Sequence, residues 1–267
     1  MKLSVFFANV KDAARKSGRS LDEILFTVKQ AGIDYLDFHI GDLTDGLPAA
    51  VKNAGLGANT VYASFDFCDE GSLSAAKRAA DTAAQFGAGI MYVQKPLENG
   101  ALSDLKALNE KDEIFAYLNK STAALKTAAA LEILSLYAEE KGITASVEDF
   151  DSHGSLTERK AELEWLFGKA PHLKFNLDTG NSVTCGENIT DLFADFKEKT
   201  VNIHCKDRAY SDGKLCTCPV GKGFMPIKEI KEKITADGYT GGFSIEVFGV
   251  EDPLEAIIDS AGYLLNN

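Results

Sequence analysis

Eight short hydrophobic runs, each followed by a segment of helical character, recur along the chain near residues 2–9, 35–40, 59–67, 89–95, 143–150, 173–179, 201–207 and 242–248. Strict alternation of strand and helix calls for a parallel sheet, because each connecting helix crosses back over the sheet and covers it. Eight such units is the number at which the sheet closes on itself. The pattern therefore predicts an α/β fold, a (β/α)8 TIM barrel, formed as a single domain over residues 1–267. Length agrees, since 267 residues, 45% of them hydrophobic, match one barrel of about 250 residues.

The connecting segments carry helical periodicity and stop signals. In SLDEILFTVKQAG, Leu21, Ile24, Leu25 and Val28 fall on one face, and Gly32 marks the stop, as Gly87, Gly142 and Gly238 do elsewhere. The Ala-rich stretch from Lys111 to Gly142 predicts one long helix or two abutting ones. Two polar, Gly-containing stretches, ENGALSDLKALNEKD after the fourth strand and AYSDGKLCTCPVGKGFMP after the seventh, read as long loops.

A formal charge of −12 argues against a nucleic-acid surface, which needs clustered Lys and Arg. The opening MKLSVFFANV turns polar at once and reads as the first strand, without a leader pattern. No apolar stretch approaches the roughly 20 residues of a membrane span. Five cysteines (Cys68, Cys185, Cys205, Cys216 and Cys218) lack zinc-ribbon spacing, and the expected home is a reducing cytoplasm. The expected partner is a small, polar, carbohydrate-like substrate.

Four consecutive strands each deliver one metal-ligating side chain near their ends: Glu148 in ITASVEDF, Asp178 in LKFNLDTGN, His204 in VNIHCKDR and Glu246 in GFSIEVFG. Taken singly, Glu148 or Asp178 would serve as a helix cap and His204 as a packed barrel histidine. Four at four strand ends make a site. Residues two apart share a face of a strand, so Ser146 accompanies Glu148, Asn176 accompanies Asp178, and Ser244 accompanies Glu246, while Lys206 and Arg208 follow His204. The other face is apolar: Ala145, Val147, Phe175, Leu177, Ile203, Ile245 and Val247.

Three carboxylates and one imidazole form an oxygen-rich set for one divalent ion, suited to Mn²⁺, Mg²⁺ or Co²⁺, with Zn²⁺ also admitted. Such a centre supports removal of a proton beside a carbonyl, with the metal stabilising the enediolate that results.

These residues, with the loop PVGKGFMPIKEI and the closing GYTGGFSIEVFG, resemble the xylose-isomerase-like TIM-barrel superfamily, the sugar phosphate isomerase/epimerase group, over essentially the whole chain. The resemblance implies that Glu148, Asp178, His204 and Glu246 hold the metal, and that Glu148 and Glu246 are the acid/base pair. Lys206 and Arg208 match positions that reach substrate oxygens or orient the catalytic Glu; His39 matches a rim position that varies across the clan and is open to a substrate contact, and Asn181 can hydrogen-bond a substrate hydroxyl but is a poor metal ligand. The implied activity is a metal-dependent isomerase or epimerase of a sugar or sugar phosphate. The alternative is a dehydratase of a keto-cyclitol or keto-sugar, such as an inosose or dehydroshikimate dehydratase; a non-catalytic sugar-binding barrel is a weaker reading. A homo-oligomer is the family habit. Two departures bear on the reaction: Asp178, Thr179, Gly180 and Asn181 stand where many epimerases and the apurinic-site endonucleases of the clan have Asp-Thr-x-His, and Gln94 and Lys95 stand where a histidine is common, which together with the acidic charge balance counts against DNA cleavage.

Overall fold

The computed structural model describes residues 1–44, 46–94, 101–151 and 155–267. Its strands in chain order are β1 (Lys2–Phe6), β2 (Tyr35–His39), β3 (Gly57–Phe65), β4 (Gly89–Gln94), β5 (Ala145–Glu148), β6 (Lys174–Asp178), β7 (Thr200–Cys205), β8 (Asp207–Ser211), β9 (Lys214–Cys218) and β10 (Gly242–Ile245). Eight of them close into a barrel in the order β1-β10-β7-β6-β5-β4-β3-β2, and β8 and β9 form a separate hairpin. The pairings with a defined register inside the barrel are parallel, for instance Ser4 opposite Ser244 and Ser244 opposite His204. The protein is thus the (β/α)8 TIM barrel that the alternation predicts.

Two sets of segments form compact units: residues 1–60, 178–180 and 201–267, and residues 61–177 and 181–200. In the first, the expected strand over 2–9 ends at Phe6, and Phe7–Ser17 is helical. The run FFANV is apolar enough for either state, but Phe7, Val10 and Ala13 complete a buried helical stripe. The next helix, Leu21–Gln30, starts on a capping box in which Glu23 N–H donates to Ser20 Oγ and Ser20 N–H to Glu23 Oε2, an arrangement that contributes about 1 kcal/mol. Ile24, Leu25 and Val28 are buried, and Gly32 follows at φ 88°.

The barrel interior of this unit contains a polar layer. Ser4 Oγ donates to Asp37 Oδ2 at 2.6 Å and lies 2.6 Å from Ser244 Oγ; Asn59 Nδ2 donates to Asp37 Oδ1 at 2.8 Å; Asn202 Nδ2 donates to Ser244 Oγ at 2.9 Å. Burial raises the Asp37 carboxyl above the ordinary range, while the Ser4 and Asn59 hydrogen bonds and His204 oppose that rise. Asn202 and Ser244 each lie two residues before a candidate ligand, so this layer lies beneath His204 and Glu246 on the same strands.

The sequence AYSDGKLCTCPVGKGFMP is not simply a loop. Residues 207–218 pair as the β8–β9 hairpin around Asp212 and Gly213, at φ 50° and 74°. Two adjacent residues in the left-handed region give the turn a twist that matches paired strands.

In the second unit, the Ala-rich stretch is two helices, Lys111–Leu118 and Thr122–Glu140, divided where Ser121 Oγ accepts from Ala124 N–H at 3.2 Å. Residues 101–107, expected to lie in a loop, are helical. Nearby, Arg159 donates to Leu108 O at 2.8 Å and pairs with the buried Glu162. Lys95 and residues 96–100 of that expected loop lie outside the described residues. Phe167, Phe175 and Phe196 pack edge to face, with centroids 5.3–5.8 Å apart. No described helix is long and apolar enough to cross a membrane.

Candidate metal centre

Each candidate ligand is delivered by the end of a strand. Glu148 closes β5, Asp178 closes β6, His204 is the penultimate residue of β7, and Glu246 directly follows β10. The backbone N–H of Glu246 donates to Cys205 O at 3.2 Å, which carries the ladder one residue beyond β10 and fixes the base of that side chain. All four are buried.

The turn after β6 is bonded to the end of β7. Thr179 N–H donates to His204 O at 3.0 Å, Lys206 N–H donates to Thr179 Oγ1 at 3.0 Å, and that hydroxyl donates to Lys206 O at 2.8 Å. Gly180 N–H donates to Asp178 Oδ1 at 2.7 Å, which turns Oδ2 toward the other ligands. His204 Nδ1 lies 3.7 Å from Glu246 Oε2 and 4.0 Å from Asp178 Oδ2. Atoms bound at about 2.1 Å by a single ion stand about 3 to 4.2 Å apart, so these separations suit a common ion. With Glu148 included, one donor atom from each of the four residues lies within 4.8 Å of the others. The donor set fits a divalent cation, and so do the separations about His204; the 4.8 Å span of the full group is wider than a single ion's donors and would have to close on binding.

Two buried cations accompany the acids. Lys206 Nζ lies 2.5 Å from Glu246 Oε1 and 3.2 Å from Asp178 Oδ2. Arg208 Nε donates to Gly180 O at 3.0 Å and a terminal nitrogen donates to Thr217 Oγ1 at 3.3 Å, joining the β6 turn to the hairpin. Among the other expected contacts, His39 is exposed, and its Nδ1 accepts from Gly41 N–H at 3.1 Å. Asn181 is buried and donates to Asp149 O at 2.8 Å. The Cys216 and Cys218 pair sits on β9, Cys216 Sγ donates to Ala209 O at 3.3 Å, and burial pushes the Cys218 thiol up to about 11. Neither cysteine belongs to a metal-capable group among the described residues.

Sequence reasoning missed three contributors. Phe6 stands edge-on to His204 at 4.9 Å and to the half-exposed Phe248 at 5.5 Å, an apolar wall beside the imidazole. Thr179 is visible in sequence only as the neighbour of Asp178. Asp207, fully buried, accepts four backbone N–H groups, from Arg208, Gly221, Gly223 and Met225.

The sequence matches the family model described as xylose isomerase-like TIM barrel over residues 12–266. The chain belongs to that family. No curated protein sequence matches it. Solved structures resembling this family member include a sugar phosphate isomerase/epimerase from Parabacteroides distasonis, at 14% identity and TM-score 0.72, covering 100% of this chain and 96% of that one. The probable 3-DHS dehydratase AsbF of Bacillus anthracis aligns at 16% identity and TM-score 0.71, covering 100% of both chains. The IOLI protein, with a binding zinc atom, aligns at 18% identity and TM-score 0.69, covering 100% of this chain and 97% of the other. At these identities the structural likeness establishes the shared barrel.

Proposed function

We propose that the protein is a divalent-metal-dependent isomerase or epimerase of a sugar or sugar phosphate, formed as a single barrel domain, with Glu148, Asp178, His204 and Glu246 holding the ion. The observation that carries this reading is the convergence of three carboxylates and one imidazole with donor atoms within 4.8 Å of one another. A bound divalent ion would supply a Lewis acid for a substrate carbonyl oxygen and offset the carboxylate charge. Glu148 takes the proton beside the carbonyl, and Glu246 returns a proton on the carbon that distinguishes product from substrate. Lys206 holds Glu246 Oε1, which leaves Oε2 on the His204 side and fixes the orientation of that carboxylate. Phe6 and Phe248 shield the centre from water on one side.

The second reading is a dehydratase acting on a keto-cyclitol or keto-sugar. The same first proton removal serves both, and the resemblance to a probable dehydratase supports keeping it. Incubation of the Mn²⁺-loaded protein with a panel of ketoses and keto-cyclitols in D₂O tests both. Deuterium entering recovered substrate or an epimer supports the first; loss of water with a conjugated ketone supports the second. No exchange with any member, full exchange by Glu148→Gln, or undiminished product formation by Glu246→Gln overturns the assignment.

A further inference from the structure

We propose that Lys206 competes with the divalent ion for the carboxylates of this centre and thereby weakens the protein's hold on its metal; the inference rests on the metal site proposed above. The oxygen of Asp178 that lies 4.0 Å from His204 Nδ1 is Oδ2, and the same oxygen lies 3.2 Å from Lys206 Nζ. Imidazole and ammonium therefore converge on one carboxylate oxygen, and an ion bound to that oxygen beside the imidazole would lie close to the ammonium charge. At Glu246 the arrangement differs: Oε1 faces the ammonium at 2.5 Å and Oε2 faces His204 Nδ1 at 3.7 Å. Lys206 thus shares an oxygen with the ion at one ligand and leaves Glu246 a single oxygen for it.

The ammonium is held in this position. Lys206 is 8% exposed, its backbone N–H and C=O are both bonded to Thr179 Oγ1, and its Cγ lies against the bare Cα of Gly180. A fixed positive charge beside two ligands repels a second cation, and burial limits the screening of that repulsion. Charge counting gives the same direction. Three carboxylates carry one negative charge more than a divalent ion neutralises, and the ammonium cancels the remainder. Without it, the loaded centre keeps a net negative charge that favours retention of the ion. Lys206 makes the ion exchangeable and steadies the carboxylates when it is absent.

The test is Mn²⁺ titration calorimetry on EDTA-treated full chain for the wild type, Lys206→Met, Lys206→Gln and Lys222→Met. Lys222 is an exposed lysine paired with Asp259 at 3.7 Å, and it controls for the general loss of one positive charge. The expected result is one Mn²⁺ per chain throughout, at least tenfold tighter in both Lys206 variants and within twofold of wild type in Lys222→Met. Metal-free melting temperatures should move the other way, falling in the Lys206 variants, with a larger rise on adding Mn²⁺. A variant that merely damages the site cannot bind more tightly, so the gain separates competition from structural support. Wild-type binding with equal or weaker affinity in both Lys206 variants overturns this inference alone. Absence of Mn²⁺ binding in all four proteins overturns the metal reading and this inference together.

Discussion

A Cβ placed on Gly180 would lie 2.8 Å from Cγ of Lys206 and 2.8 Å from its carbonyl oxygen. The turn that aims Asp178 and the lysine that engages it are therefore packed with no space for a methyl group. Gly180→Ala forces the segment 206–208 away from β6, at an expected cost of about 1–3 kcal/mol, the usual range for overpacking a closed site. Gly168, in the helix Lys160–Lys169, has nothing within 4 Å of its hypothetical Cβ. Gly168→Ala should gain stability, by about 0.5–1 kcal/mol. Urea unfolding of the two variants checks the contrast; equal midpoints would refute the close packing at residue 180.

The barrel was legible because each strand is a short apolar run set off by a helix of different period, and all eight expected runs overlap an observed barrel strand. Strand ends were less so. Val247 and Phe248 continue the apolar run past Ile245, yet Val247 N–H donates to the Asn9 side chain rather than to a neighbouring strand. Phe7 reads as strand from its neighbours and folds as helix, because Val10 and Ala13 lie beyond the window that an alternating pattern inspects. The β8–β9 hairpin carried a signal, Asp212–Gly213, hidden in a stretch whose polarity resembles a loop. Asp207 carried almost none: between Lys206 and Arg208 an acid looks like part of a solvated charge run, and its four N–H partners, one of them its own neighbour Arg208, are recognisable only in the fold.

Glu162 offers a test of burial against ion pairing. Its side chain is buried, and burial raises its carboxyl above the ordinary value although Arg159 pulls it down. A folded value above the unfolded one means that this group's contribution is whole below the unfolded value, about 4.3, and is lost as pH climbs through the folded value. The stability of the wild type relative to Glu162→Gln should therefore decline as pH rises from about 4 toward neutrality. Denaturant titrations of both proteins across that window measure the slope. A difference that grows with pH would mean that the Arg159 pair outweighs desolvation.

Asp207 Oδ2 accepts from Gly221 and Gly223 N–H at 2.9 Å each, and Oδ1 accepts from Arg208 at 2.9 Å and Met225 at 3.1 Å. Fully buried, this carboxylate fastens the loop after β9 to the segment that carries Lys206. A Cβ on Gly223 would fall 2.3 Å from Oδ1, so the glycine is a condition of the contact. Asp207→Asn keeps the shape and replaces one acceptor oxygen with an NH₂ group facing N–H donors. Hydrogen bonds to a charged group contribute about 1.5–3 kcal/mol each, so the expected loss is about 3 kcal/mol. Amide exchange in residues 219–226 should accelerate at least tenfold, read by mass spectrometry of that peptide. The loop has another tether, Val220 N–H to Ser260 Oγ at 2.9 Å, and Gly221 packs against Tyr263. Unchanged protection in Asp207→Asn would therefore assign the loop's position to the helix Pro253–Asn266, leaving Asp207 to fix only its own strand.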